Sequence, residues 1–242
     1  MVSQGTQASA LTSYEQDRLS HESQATATTL ANVTMYHSNP YRALTERVRN
    51  SASTPAVTFY NGAERIELSY KSLDNWVAKT SNFLLDEIEV READSFYLDL
   101  PAHWLKVVWL LAIWATGCQI APTRDAALHT VSSEPTTGDD IYCSLQVMGK
   151  PPEAPVGFID FITEVRKFGD FFASPGKSTE IDYEMRWRVP ELSRILIVGA
   201  DFSTEQIAAA FDTKSSLVIL HRADENLRAT VTRDEKVTCT WE

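Results

Sequence analysis

Residues 102–117, AHWLKVVWLLAIWATG, place three tryptophans and a single lysine, Lys106, in four turns of potential helix. No other stretch limits the fold as strongly. A helix that is apolar on nearly every side must be surrounded, by lipid, by a partner or by the protein's own core. Lipid fails on length. Only Val107–Ala115 is free of charge or strong polarity, whereas a membrane span needs about 20 apolar residues. Residues 102–116 would reach about 22 Å at about 1.5 Å per residue. The segment also lies between two predicted strands, SFYLDL (95–100) and CQIAP (118–122). It therefore reads as a central core helix, with Gly117 placed as its left-handed terminating residue.

The neighbouring sequence supports an α/β core. Tyr41, Leu44 and Val48 form one apolar stripe of a short helix after Pro40. PAVTFYN (55–61) and RIELSY (65–70) read as strands joined at Asn61-Gly62. Ser69 can cap a helix carrying Leu73, Trp76, Val77, Thr80 and Leu84. Residues 55–122 thus run β-β-α-β-α-β, with CQIAP as a short buried strand. Such alternation gives a mostly parallel sheet covered by helices. At the other end, RILIVG (194–199), SLVIL (216–220) and VTCTW (237–241) are strands. Ser203 and Gln206 make a capping box for the helix between the first two, and Leu227 and Val231 mark another helix. The expected fold class is a three-layer α/β domain, with a mostly parallel sheet and helices on both faces.

Three regions of one domain follow. Residues 55–122 and 191–242 are the regular halves, the second a βαβαβ run. Residues 123–190 form an irregular connector with a strand within 139–148. A segment at 156–172 starts extended and continues as helix. Residues 39–242 make up the domain. Residues 1–38, rich in Ser, Thr, Ala and Gln, read as a disordered or weakly helical tail. That N-terminus has neither the basic start nor the apolar core of a signal peptide.

A net charge of −11 argues against nucleic acid and anionic membrane surfaces as partners. The three cysteines, Cys118, Cys143 and Cys239, show no metal spacing and are expected to be reduced thiols of a cytoplasmic protein. SPGKST (174–179) has Phe171 where a Walker loop needs its first glycine, so it reads as a polar turn. GADFS (199–203) has one glycine and no dinucleotide fingerprint. No cofactor and no metal are expected. The five histidines lack paired spacing, and the chain has no GxSxG elbow. His103, His221 and Asp201 lie at strand–helix junctions, where α/β sites gather, and are the candidate catalytic residues if the chain is an enzyme. Arg166, Arg186 and Arg188 read as a solvated charged face.

One stretch also carries a family resemblance. In residues 54–122 a Pro-Ala-Val strand is followed by LSYKSLDNWVAKTSNFL, then READSFYLDLPAHW, then WLLAIWATGCQIAP. This order and spacing resemble the N-terminal segment of the adenylate-forming (AMP-binding) superfamily, which contains acyl-CoA synthetases, nonribosomal peptide adenylation domains and luciferases. The chain has Ala93-Asp94 where that family has Gly-Asp. More faintly, 192–241 resembles a later part of the same domain. The resemblance implies a phosphate loop, Ser-Gly-Thr-Thr-Gly-x-Pro-Lys. The nearest string is SSEPTTGDD (132–140), which keeps Thr136-Thr137-Gly138 but has Glu134-Pro135 for Ser-Gly and no Pro-Lys. The family's nucleotide-site motif is likewise unmatched, since GKSTE (176–180) has one residue too many. The chain looks like a short bacterial family that keeps the scaffold without the phosphate loop or the C-terminal domain, and no catalytic residue carries over. The expectation is a non-catalytic domain that binds a protein or an acyl- or CoA-like ligand. The alternatives are an enzyme of different chemistry in a strand-end cleft and an accessory subunit completing a separately encoded partner.

Overall fold

A computed structural model describes residues 33–62, 64–146, 153–174, 176–221 and 225–241. The chain divides between Met35 and Tyr36 into two units, and the fold below belongs to the second, apart from Met35 at the start of the first strand. In chain order its elements are β1 (Met35–Ser38), α1 (Pro40–Ser51), β2 (Pro55–Asn61), β3 (Glu64–Ser69), α2 (Tyr70–Asp86), β4 (Ser95–Asp99), α3 (Trp104–Ala115), β5 (Gln119–Ile120), β6 (His129–Ser132), β7 (Ile141–Tyr142), β8 (Ile159–Asp160), α4 (Phe161–Glu164), β9 (Ile181–Glu184), β10 (Arg194–Val198), α5 (Thr204–Asp212), β11 (Ser216–Leu220), α6 (Glu225–Asp234) and β12 (Cys239–Trp241). Among the described residues no helix is long and apolar enough to cross a membrane.

The parallel α/β architecture expected from the sequence is present, with the strands of the described residues divided between two five-stranded sheets and a separate β1–β9 pair. One has the order β12-β10-β11-β2-β3 and is parallel except for the β2–β3 hairpin. The other, β5-β4-β6-β7-β8, is parallel throughout. The reason is α3. All twelve of its residues are buried, Lys106 included. A single sheet can cover only one side of such a helix, so a second layer is needed on the other. Helix α3 packs on α1 and α2 and touches β2 of the first sheet and β5 of the second. One hydrophobic core accordingly joins Val57, Phe59 and Ile219 of the first sheet to Phe96, Val131 and Ile141 of the second, with Trp104, Trp109 and Trp114 among them. The outer face of the first sheet is closed separately. Leu196, Val218 and Leu220 pack there against Val231 of α6.

Local signals set the helix ends. Ser69 accepts the Ser72 N–H at the start of α2, and Ser203 and Gln206 form both bonds of a capping box on α5. Gly117 follows α3 with φ +81°, and a side chain there would meet the Lys177 carbonyl at 3.1 Å. Ser174 and Thr179, the first and last residues of SPGKST, finish the same helix end. Ser174 Oγ donates to the Ala115 carbonyl and the Thr179 N–H to that of Trp114, satisfying acceptors that a helix end leaves open. The expected buried strand at CQIAP needs correction. β5 is a two-residue edge strand with Gln119 exposed, and burial is confined to the flanking Cys118 and Ala121. Ala93 adopts φ 71°, which gives a physical reason for glycine at the equivalent place in the resembling family.

His103 is the N-cap of α3. Its Nδ1 accepts the Leu105 N–H at 3.2 Å, and its ring lies edge-on to Phe59. Burial, and then the nearby His221, lower its pKa from 6.5 to about 3. The folded protein thus refuses a proton that the unfolded chain accepts near pH 6.5, so stability is lost as the pH falls below that value.

Three measurements test this packing. Trp109 is fully buried, with its indole N–H directed at Cys143 and its ring 4.5 Å from Phe161. Trp109→Ala should cost about 3–5 kcal/mol in denaturant unfolding; a loss below about 1 kcal/mol would contradict the burial. Ala93→Gly should raise stability by about 0.5–1 kcal/mol by relieving left-handed strain. Between pH 6.5 and 4.5 the wild type should lose about 1–3 kcal/mol. The His103→Asn variant, which keeps a capping acceptor and cannot titrate, should lose markedly less, and identical pH slopes would refute a neutral His103.

Candidate functional site

The C-terminal ends of strands from both sheets meet along one edge of the molecule. Ala102, after β4, donates its N–H to the Ala200 carbonyl after β10 at 2.7 Å, linking one sheet to the other. His221 extends β11 by donating its N–H to the Tyr60 carbonyl of β2 at 3.2 Å. Two neighbouring cavities open here. One, of about 400 Å³, is walled by Phe59, Ile66, Pro101, Ala102 and Leu145, with His103, His221, Asn61, Glu64 and Gln146 contributing polar groups. The second, of about 650 Å³, is more polar and is lined by Asp99, Ser132, Ser133, Glu134, Thr136 and Asp201, sharing Pro101, Leu145 and His221 with the first.

The three residues singled out from the sequence all lie on this edge. His103 and His221 line the smaller cavity together; His221 and Asp201 line the larger. Asp201 is already engaged. Its Oδ1 pairs with the Lys106 ammonium and accepts the Phe202 N–H at 2.7 Å. Lys106 is the residue that sequence reasoning passed over, treating it only as a break in an apolar helix. A lysine on a helix predicted to be buried requires a counter-charge, and that requirement was the available signal. The partner lies 95 positions away in sequence, and no spacing rule could have named it.

The loop after β6, SSEPTTGDD, is closed on itself. Asp139 has a fully buried side chain; one carboxylate oxygen accepts from the Thr136 N–H at 2.6 Å, and the other pairs with Arg124. Arg124 also donates to Asp99 at 2.8 Å. The Glu134 N–H is taken by Ser132 Oγ and the Asp139 N–H by the Thr136 carbonyl. The Glu134, Thr136 and Asp139 N–H groups are thus used within the loop, and Glu134 adds a carboxylate to the adjoining cavity. Among the described residues no group of three His, Cys, Asp or Glu side chains is arranged to hold a metal ion. Two of the arginines read as a charged face are ion-paired, Arg186 with Glu184 and Arg188 with Asp212.

Comparison with known proteins agrees with this geometry at the level of fold. No family model matches the chain. A Mycobacterium tuberculosis protein described as a TIGR03089 family protein is 38% identical over 132 residues, which are 48% of this chain and 54% of that protein. Among solved structures, an artificially fused adenylation-PCP di-domain, NpsA-ThdA from Klebsiella oxytoca, superposes over 84% of this chain and 42% of its own, with a TM-score of 0.61 and 12% identity. A mutant coronafacic acid ligase from Pectobacterium brasiliense covers 84% and 49%, with a TM-score of 0.61 and 11% identity. The Mycobacterium tuberculosis fatty acyl CoA synthetase covers 84% and 48%, with a TM-score of 0.60 and 11% identity. The chain spans about half the length of each of these proteins. Over that span it has the α/β fold found in adenylate-forming enzymes.

Proposed function

We propose that this chain is a binding domain on an acyl-CoA synthetase-like scaffold, that its ligand is a small molecule of acyl type or a protein, and that it does not form acyl adenylates. One observation carries the reading. In the loop that stands where the resembling family has its phosphate loop, the buried Asp139 carboxylate takes the Thr136 N–H and Arg124 neutralises it. A triphosphate would have to displace this internal anion and lie beside Glu134. Like charges at such distances repel, more strongly where water is sparse. Adenylation depends on positioned phosphates, and an enzyme that cannot hold them loses the orientation and charge stabilisation the step requires.

The candidate acid–base groups point the same way. His103 spends its basic nitrogen on the backbone of α3, and Asp201 spends its charge on Lys106. Neither is poised to accept a proton from a substrate, which general-base catalysis requires. The purified protein, given Mg·ATP and a panel of straight-chain and aromatic carboxylic acids, should show no acid-dependent pyrophosphate–ATP exchange above the blank. Exchange that saturates with one of the acids would overturn the proposal.

A further inference from the structure

Another cavity lies at the end of the first sheet opposite the cleft, where the parallel strands β2, β10 and β11 begin. Its volume is about 360 Å³, and its lining brings together Arg47 of α1, Arg194 at the start of β10, Lys214 after α5, and Asp234 and Glu235 at the end of α6. The two carboxylates do not account for the three cations. Glu235 accepts from Arg194 at 2.5 Å and also from Arg65 at 2.9 Å, so two guanidiniums share it. Asp234 accepts from Arg233 at 2.8 Å. Lys214 reaches Glu191 only at 3.5 Å, with both side chains well exposed, and such a pair contributes little. Among the described residues no carboxylate pairs with Arg47, whose guanidinium lies 4.6 Å from the centre of the Tyr70 ring and donates to Ser51 Oγ at 3.3 Å.

The two arginines also keep open donors. Arg47 Nε and Arg194 Nη1 are buried, and neither has a hydrogen-bond partner. Buried donors are normally satisfied, and those on charged groups cost most when they are not. That both belong to residues lining one cavity points to an acceptor the chain itself does not supply. Charge decides its class. A monoanion would set its one charge against Asp234 and Glu235 in the same lining. A phosphate monoester carries a charge of about −1.5 to −2 at pH 7 and three strong acceptor oxygens, and guanidinium forks match those oxygens in pairs. We propose that this cavity binds a phosphate group, free or on a small monoester, through Arg47, Arg194 and Lys214. The site is separate from the strand-end cleft and does not rest on the binding-domain reading.

The test titrates inorganic phosphate, glycerol 3-phosphate and acetate into the full chain by calorimetry at pH 7 and constant ionic strength. The arginine Nε–H resonances are followed in parallel. At least one of the phosphates should bind saturably, about tenfold or more tightly than acetate, and should shift the Nε–H of Arg47. The tighter of the two identifies the source as free phosphate or an ester. Arg47→Met keeps the hydrocarbon stem on Tyr70 without the charge, and should weaken that phosphate about tenfold. Lys214→Gly should weaken it too, with stability intact or raised, because glycine suits the φ of 54° that Lys214 adopts just past α5. Neither phosphate saturating at tens of millimolar, acetate binding equally well, or affinity unchanged in Lys214→Gly would each overturn the proposal. So would an Arg47 Nε–H resonance that ignores bound phosphate, and this is read on the wild type, so it holds even where Arg47→Met fails to fold.

Discussion

Burial of α3 on all sides is the constraint to which the rest of the fold responds. Twelve consecutive buried residues, three of them tryptophan, cannot be covered by one layer. The chain answers with two five-stranded sheets and encloses the helix between them. The enclosure carries one polar group inward with it. Lys106 is 7% exposed, and an unpaired ammonium there would be costly. The pair with Asp201 resolves that cost and ties the helix to the end of β10 in the other half of the chain. The Ala102–Ala200 backbone bond fastens the same junction. The cleft edge is therefore a by-product of how the helix is housed.

The same economy governs the chemistry of the cleft. Several polar groups of the cleft are satisfied internally: Nδ1 of His103 by the backbone, Asp201 by Lys106, and the Glu134 and Thr136 amides by Ser132 and Asp139. The smaller cavity beside them is walled by Phe59, Ile66 and Leu145.

Much of the scaffold was legible in the sequence because the signals are short-range. Ser69, the Ser203–Gln206 box and Gly117 act within a turn of their own position, and each does what its residue type implies. The resemblance over residues 54–122 pointed to the fold that the structural comparisons show. The division into two sheets was not legible. It depends on which strands pair across more than a hundred residues, as β11 does with β2. Nor was the engagement of Asp201, since an aspartate in GADFS looks the same whether it faces solvent or a buried lysine. His103 was noticed for its junction, but its neutral tautomer follows from a capping bond that only coordinates reveal. Ser174 and Thr179, which bound the tempting phosphate motif SPGKST, satisfy carbonyls at the far end of the tryptophan helix.

The proposed function requires that the loop at 132–140 be closed to phosphate by its own carboxylate. Its most direct test is a titration of Mg·ATP into the ¹⁵N-labelled protein, following the backbone amides of Glu134, Thr136 and Asp139. These resonances should stay in place up to millimolar nucleotide. Saturable shifts of those amides would show that the loop opens to phosphate and would contradict it.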